Sequence, residues 1–186
     1  DVVRGALYRL QSNSTNGSTS TAGTVTGWTS DGFSLGTSDE VNGTYDYVSW
    51  NWLGNGSGAS NTDGDITSTV SANTTSGFSI VSYTGNGTSG ATVGHGLGVV
   101  PQVIIVKRLP NIDQMIMYHH KLNATPQDYY IRISDANVSS DFAGMWNDTA
   151  PTSSLFSIGN SATTNANSEA MIAYCFAEKQ GYSKFG

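Results

Sequence analysis

The chain is poor in several residue types, and each shortage narrows what it can be. One cysteine in 186 residues, Cys175, excludes an internal disulfide. It lies in an apolar run from Met171 to Ala177 with no histidine near it in sequence, so it reads as a buried, inert thiol. Charged residues are 12% of the chain, roughly half the usual share. The eight Lys and Arg are scattered, with only Lys107 and Arg108 among them adjacent. A net charge of −6 and a pI near 4.7 argue against a nucleic-acid platform, which needs clustered cations to neutralise phosphate. No run of about 18 apolar residues is present, so membrane insertion through a helix is not expected. Helical periodicity is also missing: no window keeps apolar residues at i, i+3, i+4 and i+7 over three turns.

What is abundant is small, polar and neutral. The chain has 25 Ser, 21 Thr, 15 Asn and 22 Gly, yet keeps 4 Trp, 9 Tyr and 6 Phe. Disordered chains are rich in charge and poor in aromatics, so this composition reads as a turn-dense β protein with a hydroxyl and amide surface. Such a surface suits an extracellular or virion exterior. Strand-like runs recur near 2–11, 31–36, 45–53, 77–84, 90–94, 100–108, 113–119, 128–134, 154–159 and 169–178, the spacing expected of sandwiches and barrels. Pro101 is expected at a strand start because it cannot donate to a ladder. Gln102–Val106 is apolar on both sides and reads as a central strand. The expected class is all-β: antiparallel, jelly-roll-like β-sandwich modules in tandem, with essentially no helix.

The tandem expectation comes from an internal echo. Arg9-Leu10, Phe33-Ser34-Leu35-Gly36 and Val48-Ser49-Trp50-Asn51-Trp52 are answered by Arg132-Ile133, Phe156-Ser157-Ile158-Gly159 and Ile172-Ala173-Tyr174-Cys175-Phe176. Arg9 precedes Phe33, and Arg132 precedes Phe156, by the same 24 residues. A further echo links Gly77-Phe78-Ser79 with Gly181-Tyr182-Ser183. The reading is then residues 1–53 as the C-terminal half of one module, 54–76 as a Gly/Ser/Thr/Asn-rich linker, and 77–186 as a complete module. The termini are expected to cut through units of a longer array.

Several segments carry a resemblance. Asn61–Thr74 with Gly77–Gly87, Gly94-His95-Gly96-Leu97-Gly98 with Pro101 and Ile104–Arg108, and Ala173-Tyr174-Cys175-Phe176-Ala177-Glu178 resemble a β-rich domain found in structural proteins of tailed, chiefly marine, bacteriophages. Asp1–Gly5 and Ser30–Gly36 resemble the tail of a preceding unit of that kind. The similarity covers nearly the whole chain. It implies a virion structural protein such as a tail fibre, spike or surface appendage, with other virion proteins as partners. One departure stands out: Met115-Ile116-Met117 precede Tyr118-His119 where the family has a Trp. The resemblance carries over no catalytic residue.

Chemistry-bearing clusters are sparse. Asp63 and Asp65 open like an oxygen-ligand calcium loop, but Ala72 stands where the bidentate Glu would be, so a turn is the better reading. No cofactor is expected. His95 sits between glycines, and His119-His120 would point to opposite faces of a strand. The acidic residues are dispersed in turn-like settings, and no Gly-x-Ser-x-Gly elbow occurs, so an enzyme is not expected. Trp28 with Asp31, and Trp146 with Asn147 and Asp148, offer an aromatic face beside polar groups, the chemistry of a sugar site. The alternative is that both Trp cap a sandwich edge. Nine Asn-x-Ser/Thr triplets are explained by turn chemistry.

Three functions follow as expectations. The first is a non-enzymatic spacer or adhesion element on the virion exterior, a homo-oligomer with a trimer expected. The second is a carbohydrate-binding module for a host surface glycan. The third is a polysaccharide-cleaving spike, which needs two converging carboxylates.

Overall fold

The computed structural model describes residues 1–110, 112–133 and 139–186. In chain order the strands are β1 (Tyr8–Arg9), β2 (Thr19–Ser20), β3 (Val25–Trp28), β4 (Phe33–Leu35), β5 (Ala59–Asn61), β6 (Ser68–Asn73), β7 (Phe78–Thr84), β8 (Ala91–Gly94), β9 (Val103–Arg108), β10 (Met115–His119), β11 (Tyr129–Arg132), β12 (Ser140–Asp141), β13 (Leu155–Ile158) and β14 (Ala170–Phe176). Among the described residues three one-turn α-helices and one 3-10 turn (Pro126–Asp128) interrupt them: α1 (Asp39–Asn42), α2 (Ala143–Trp146) and α3 (Ala162–Asn165). The chain is therefore mostly antiparallel β with short helices.

One sheet dominates. Its order is β12-β11-β10-β9-β14-β7-β6-β5, with every pairing antiparallel. Side chains alternate across a strand, so each strand feeds two layers. Met171, Ala173 and Cys175 of β14 face one layer with Val81 and Tyr83 of β7, Ile104 and Val106 of β9, and Ile116 and Tyr118 of β10. The ribbon β8–β13 contributes Val93, Phe156 and Ile158 to this core, and α2 adds Met145 and Trp146. Ile172, Tyr174 and Phe176 turn to the other layer with Phe78 and Ile80, where Val2, Val3 and Leu10 of the N-terminal segment cover them. The two-faced apolarity of Gln102–Val106 has its explanation here: β9 lies between β10 and β14 with both faces covered.

The supposed linker is structural. Residues 54–76 supply β5 and β6, the last two strands on one side of the sheet. The composition misleads because an outer strand needs few apolar groups. Ile66 and Val70 are enough to reach the core, while Ser68 and Ser71 bond backbone carbonyls. The β6–β7 hairpin follows from its turn: the Asn73 Oδ1 accepts from Thr75 and Ser76 amides, and Gly77 closes the turn at φ +70°. Two expected strands fail in the opposite sense. Of 2–11 only Tyr8–Arg9 pairs, and 45–53 alternates in sequence yet pairs with nothing among the described residues.

One backbone network occurs twice. Gly36 donates to the Thr24 carbonyl (2.5 Å) and Ser38 to that of Gly23 (2.7 Å); Gly159 donates to Met145 (3.0 Å) and Ser161 to Gly144 (2.9 Å). Ser38 and Ser161 then N-cap α1 and α3, each accepting from the amide two residues on at 3.3 Å. Asn42 and Asn165 close each turn by donating to Gly36 O (2.8 Å) and Gly159 O (2.9 Å). A Cβ on Gly36 or Gly159 would collide with the Gly23 or Gly144 carbonyl, so both positions require glycine. The small hairpins match as well: Tyr8↔Ser20 and Arg9↔Thr19 correspond to Tyr129↔Asp141 and Tyr130↔Ser140. Arg9 thus aligns with Tyr130, and the equal Arg-to-Phe spacing is a coincidence two residues out of register.

Candidate functional site

The N-terminal segment is clamped to the sheet by β9. Lys107, fully buried, donates from Nζ to the Thr15 carbonyl at 2.8 Å and to that of Asp113. Burial pushes its pKa down and the nearby Asp113 carboxylate opposes the shift. Ser18 donates to the Leu109 carbonyl at 2.7 Å. Beside it Arg108 holds Glu169 with two bonds of 2.6 and 2.7 Å and Asp113 at 3.6 Å. These contacts fix the loop before β2 over the sheet.

The segment so held encloses an open cleft of about 730 Å³. Tyr174 and Met115 rise into it from the sheet, and Trp28, Val25, Glu40 and Val41 form the opposite wall. At the base, Arg4 donates through Nε to Asp1 Oδ2 (2.7 Å), through Nη1 to Ser18 Oγ (2.8 Å) and through Nη2 to Tyr174 Oη (3.2 Å). Tyr174 Oη donates in turn to Asp1 Oδ2 at 2.7 Å. Burial raises the Tyr174 pKa, against the pull of the Arg4 charge. On the wall Arg9 pairs with Glu40. Both carboxylates in the lining, Asp1 and Glu40, therefore already have a guanidinium partner. The cleft offers an aromatic face, amides from Gln11 and Asn13, and paired charges, a surface suited to a neutral polyhydroxyl ligand.

The two sequence-proposed sugar sites separate here. Trp28 is 44% exposed and lines the cleft, with Asp31 on the adjoining β3–β4 turn, accepting from Thr29 Oγ1. Trp146 is 2% exposed and packs edge-on to Tyr118 with centroids 6.0 Å apart in the other core layer, so no ring face is open to a sugar. Its neighbour Asn147 is the left-handed C-cap of α2, accepting from Ser89 Oγ, and Asp148 is exposed at φ 47°. Arg4, Arg9, Glu40 and Tyr174 are not legible as site residues in the sequence, since nothing local links positions so far apart.

The other candidates have structural employment. Asp65 accepts from the amide and hydroxyl of Thr92, tying 63–67 to β8, and Asp63 accepts from Asn61 Nδ2. Among the described residues no three His, Cys, Asp or Glu side chains gather to hold a metal. His95 is fully buried: Nδ1 accepts from Leu97 N, which leaves Nε2–H to donate to Thr152 O at 3.2 Å. Burial lowers its pKa, so it stays neutral at pH 7. His120 Nε2 lies 2.7 Å from Phe185 O. Cys175 is buried and its thiol is pushed up to about 12. Among the described residues no helix is long and apolar enough to cross a membrane.

Fold and cleft define an antiparallel β-rich domain with one broad sheet. The chain belongs to the family described as "Domain of unknown function (DUF7483)", whose model matches residues 1–186. No curated protein and no solved structure matches it.

Proposed function

We propose that the chain is a non-enzymatic structural module of a tailed-phage virion appendage, a tail fibre, spike or similar, serving as spacer or adhesion element on the particle exterior. The observation that carries this reading is the twice-used Gly/Ser/Asn network, since a chain that builds one motif twice is organised as repeated units. In this reading the sheet and the layer on its β8–β13 side form one sandwich-like, jelly-roll-type module, and residues 1–53 are half of another. The neutral polar surface and the phage-type motifs fit an extracellular particle, with other virion proteins and further copies of the chain, as a trimer, for partners. Particles built without this segment should adsorb or assemble poorly; unchanged adsorption and assembly together would contradict the proposal.

A second reading is favoured by one observation: Trp28 opens into the cleft beside Arg9, Glu40 and the Gln11 and Asn13 amides. It makes the module a binder of host surface glycan, with Trp28 stacking on a pyranose. A glycan array should show binding that Trp28→Ala abolishes and Trp146→Phe preserves. Binding indifferent to Trp28, or none, removes this reading. A polysaccharide-cleaving spike would need two converging carboxylates, and the two that line this cleft, Asp1 and Glu40, are ion-paired with Arg4 and Arg9.

A further inference from the structure

The twice-used network is closed in one place and open in the other. Around α3, Asn165 Oδ1 accepts from the amides of Asn86 (2.8 Å) and Gly87 (3.2 Å), while its Nδ2 also reaches Thr88 O (2.9 Å). That turn leads into β8, which pairs with β13 along its length. Around α1 the equivalent Asn42 bonds Gly36 O in the same way, but the residue is exposed and its Oδ1 accepts no hydrogen bond from any described residue.

The strands repeat the difference. Gly36 N points to Thr24 on the β3 side of β4, so by alternation the amides and carbonyls of Phe33 and Leu35 face the other edge. On β13 that edge is the one β8 occupies, as the Gly90 bond to the Ile158 carbonyl shows. On β4 no strand occupies it among the described residues. The third sign is 45–53. Its counterpart, β14, is a central strand with Ile172 fully buried; Val48 and Trp50 are 71% and 74% exposed and pair with no strand among the described residues, and only Trp52 at the end of the run packs on the sheet, against Phe78 and Phe176. A run of that pattern left in water is an interface waiting for strands.

We infer that residues 1–53 are completed by strand addition: a segment with the chemistry of residues 77–121 docks on them. It would place an Asn-Gly-Thr turn on Asn42, a β8-like strand on the free edge of β4, and β7- and β9-like strands on either side of 45–53. The occupant is argued from the molecule itself, because residues 77–121 perform this role for the second network. The inference rests on the repeated-unit part of the reading above, and not on the phage setting.

The test appends a further stretch of residues 77–121 directly ahead of Asp1 in the full chain, with a scrambled stretch as control. Residue-resolved hydrogen exchange then reads Phe33, Leu35 and Val48–Trp52. Strand addition predicts exchange at least about tenfold slower at these amides in the fusion alone. It also predicts a blue shift of tryptophan emission, and loss of much of the protection at Phe33 and Leu35 on Asn42→Ala. If the appended stretch gains its own protected amides while Phe33, Leu35 and Val48–Trp52 stay open, strand addition is wrong and the repeated-unit reading survives. If the appended stretch gains no structure at all, both fail.

Discussion

At the residue scale, the two tryptophans proposed for the same task separate by burial. Trp146→Ala should cost about 3–5 kcal/mol, the range for an emptied aromatic core site. Trp28→Ala should cost under about 1 kcal/mol, because its ring stands on the cleft wall. Urea denaturation of the two variants checks the contrast. The sequence shows both as Trp near turn residues; which face each takes depends on α2 packing against Tyr118, a contact no local pattern encodes. His95 gives a pH prediction. Its folded pKa is depressed, so as pH falls below its ordinary 6.5 the unfolded chain binds a proton that the folded one refuses. Its contribution is therefore intact above pH 6.5 and lost on acidification, with a slope of at most about 1.4 kcal/mol per pH unit. His95→Gln should flatten the stability profile below pH 6.5; an unchanged slope would show that His95 does not titrate differently on unfolding.

At the scale of elements, alternating strands were the most legible part. β7, β9, β10 and β14 lie where β-branched and aromatic residues predict them, because core burial leaves a period-2 signature. β5 and β6 are hard to read because Ser68 and Ser71 bond carbonyls and leave only Val70 and Ala72 as apolar groups on the core side of β6, while β5 is Ala-Ser-Asn. The 45–53 run differs from its pattern for the converse reason: alternation states what a strand would bury and not whether a neighbour is present. Limited proteolysis should accordingly cut within 43–53 well before 68–76; equal susceptibility would restore the linker reading. The repeated turn motif also has a test. Gly159→Ala forces a methyl group onto the Gly144 carbonyl and should destabilise by about 1–3 kcal/mol, whereas Gly98→Ala meets open space and carries only the strain of its positive φ. Chemical denaturation of the pair compares the two.

For the whole molecule, backbone bonding aligns Phe33 with Phe156 but Arg9 with Tyr130 instead of Arg132. Backbone bonding sets the correspondence, and a two-residue difference between the segments shifts it. The cleft is the least legible feature. It exists because Lys107 and Leu109 on one side of the sheet hold a loop whose sequence is Ser, Thr, Asn and Gly. The proposal of one complete unit and one open half turns on how far residues 45–53 are covered. Residue-resolved hydrogen exchange on the unmodified protein tests it most directly. Amides from Ile172 to Phe176 should exchange at the rate of global unfolding, while those from Val48 to Asn51, ahead of the packed Trp52, should exchange almost as fast as unstructured chain. Comparable protection in the two runs would contradict it.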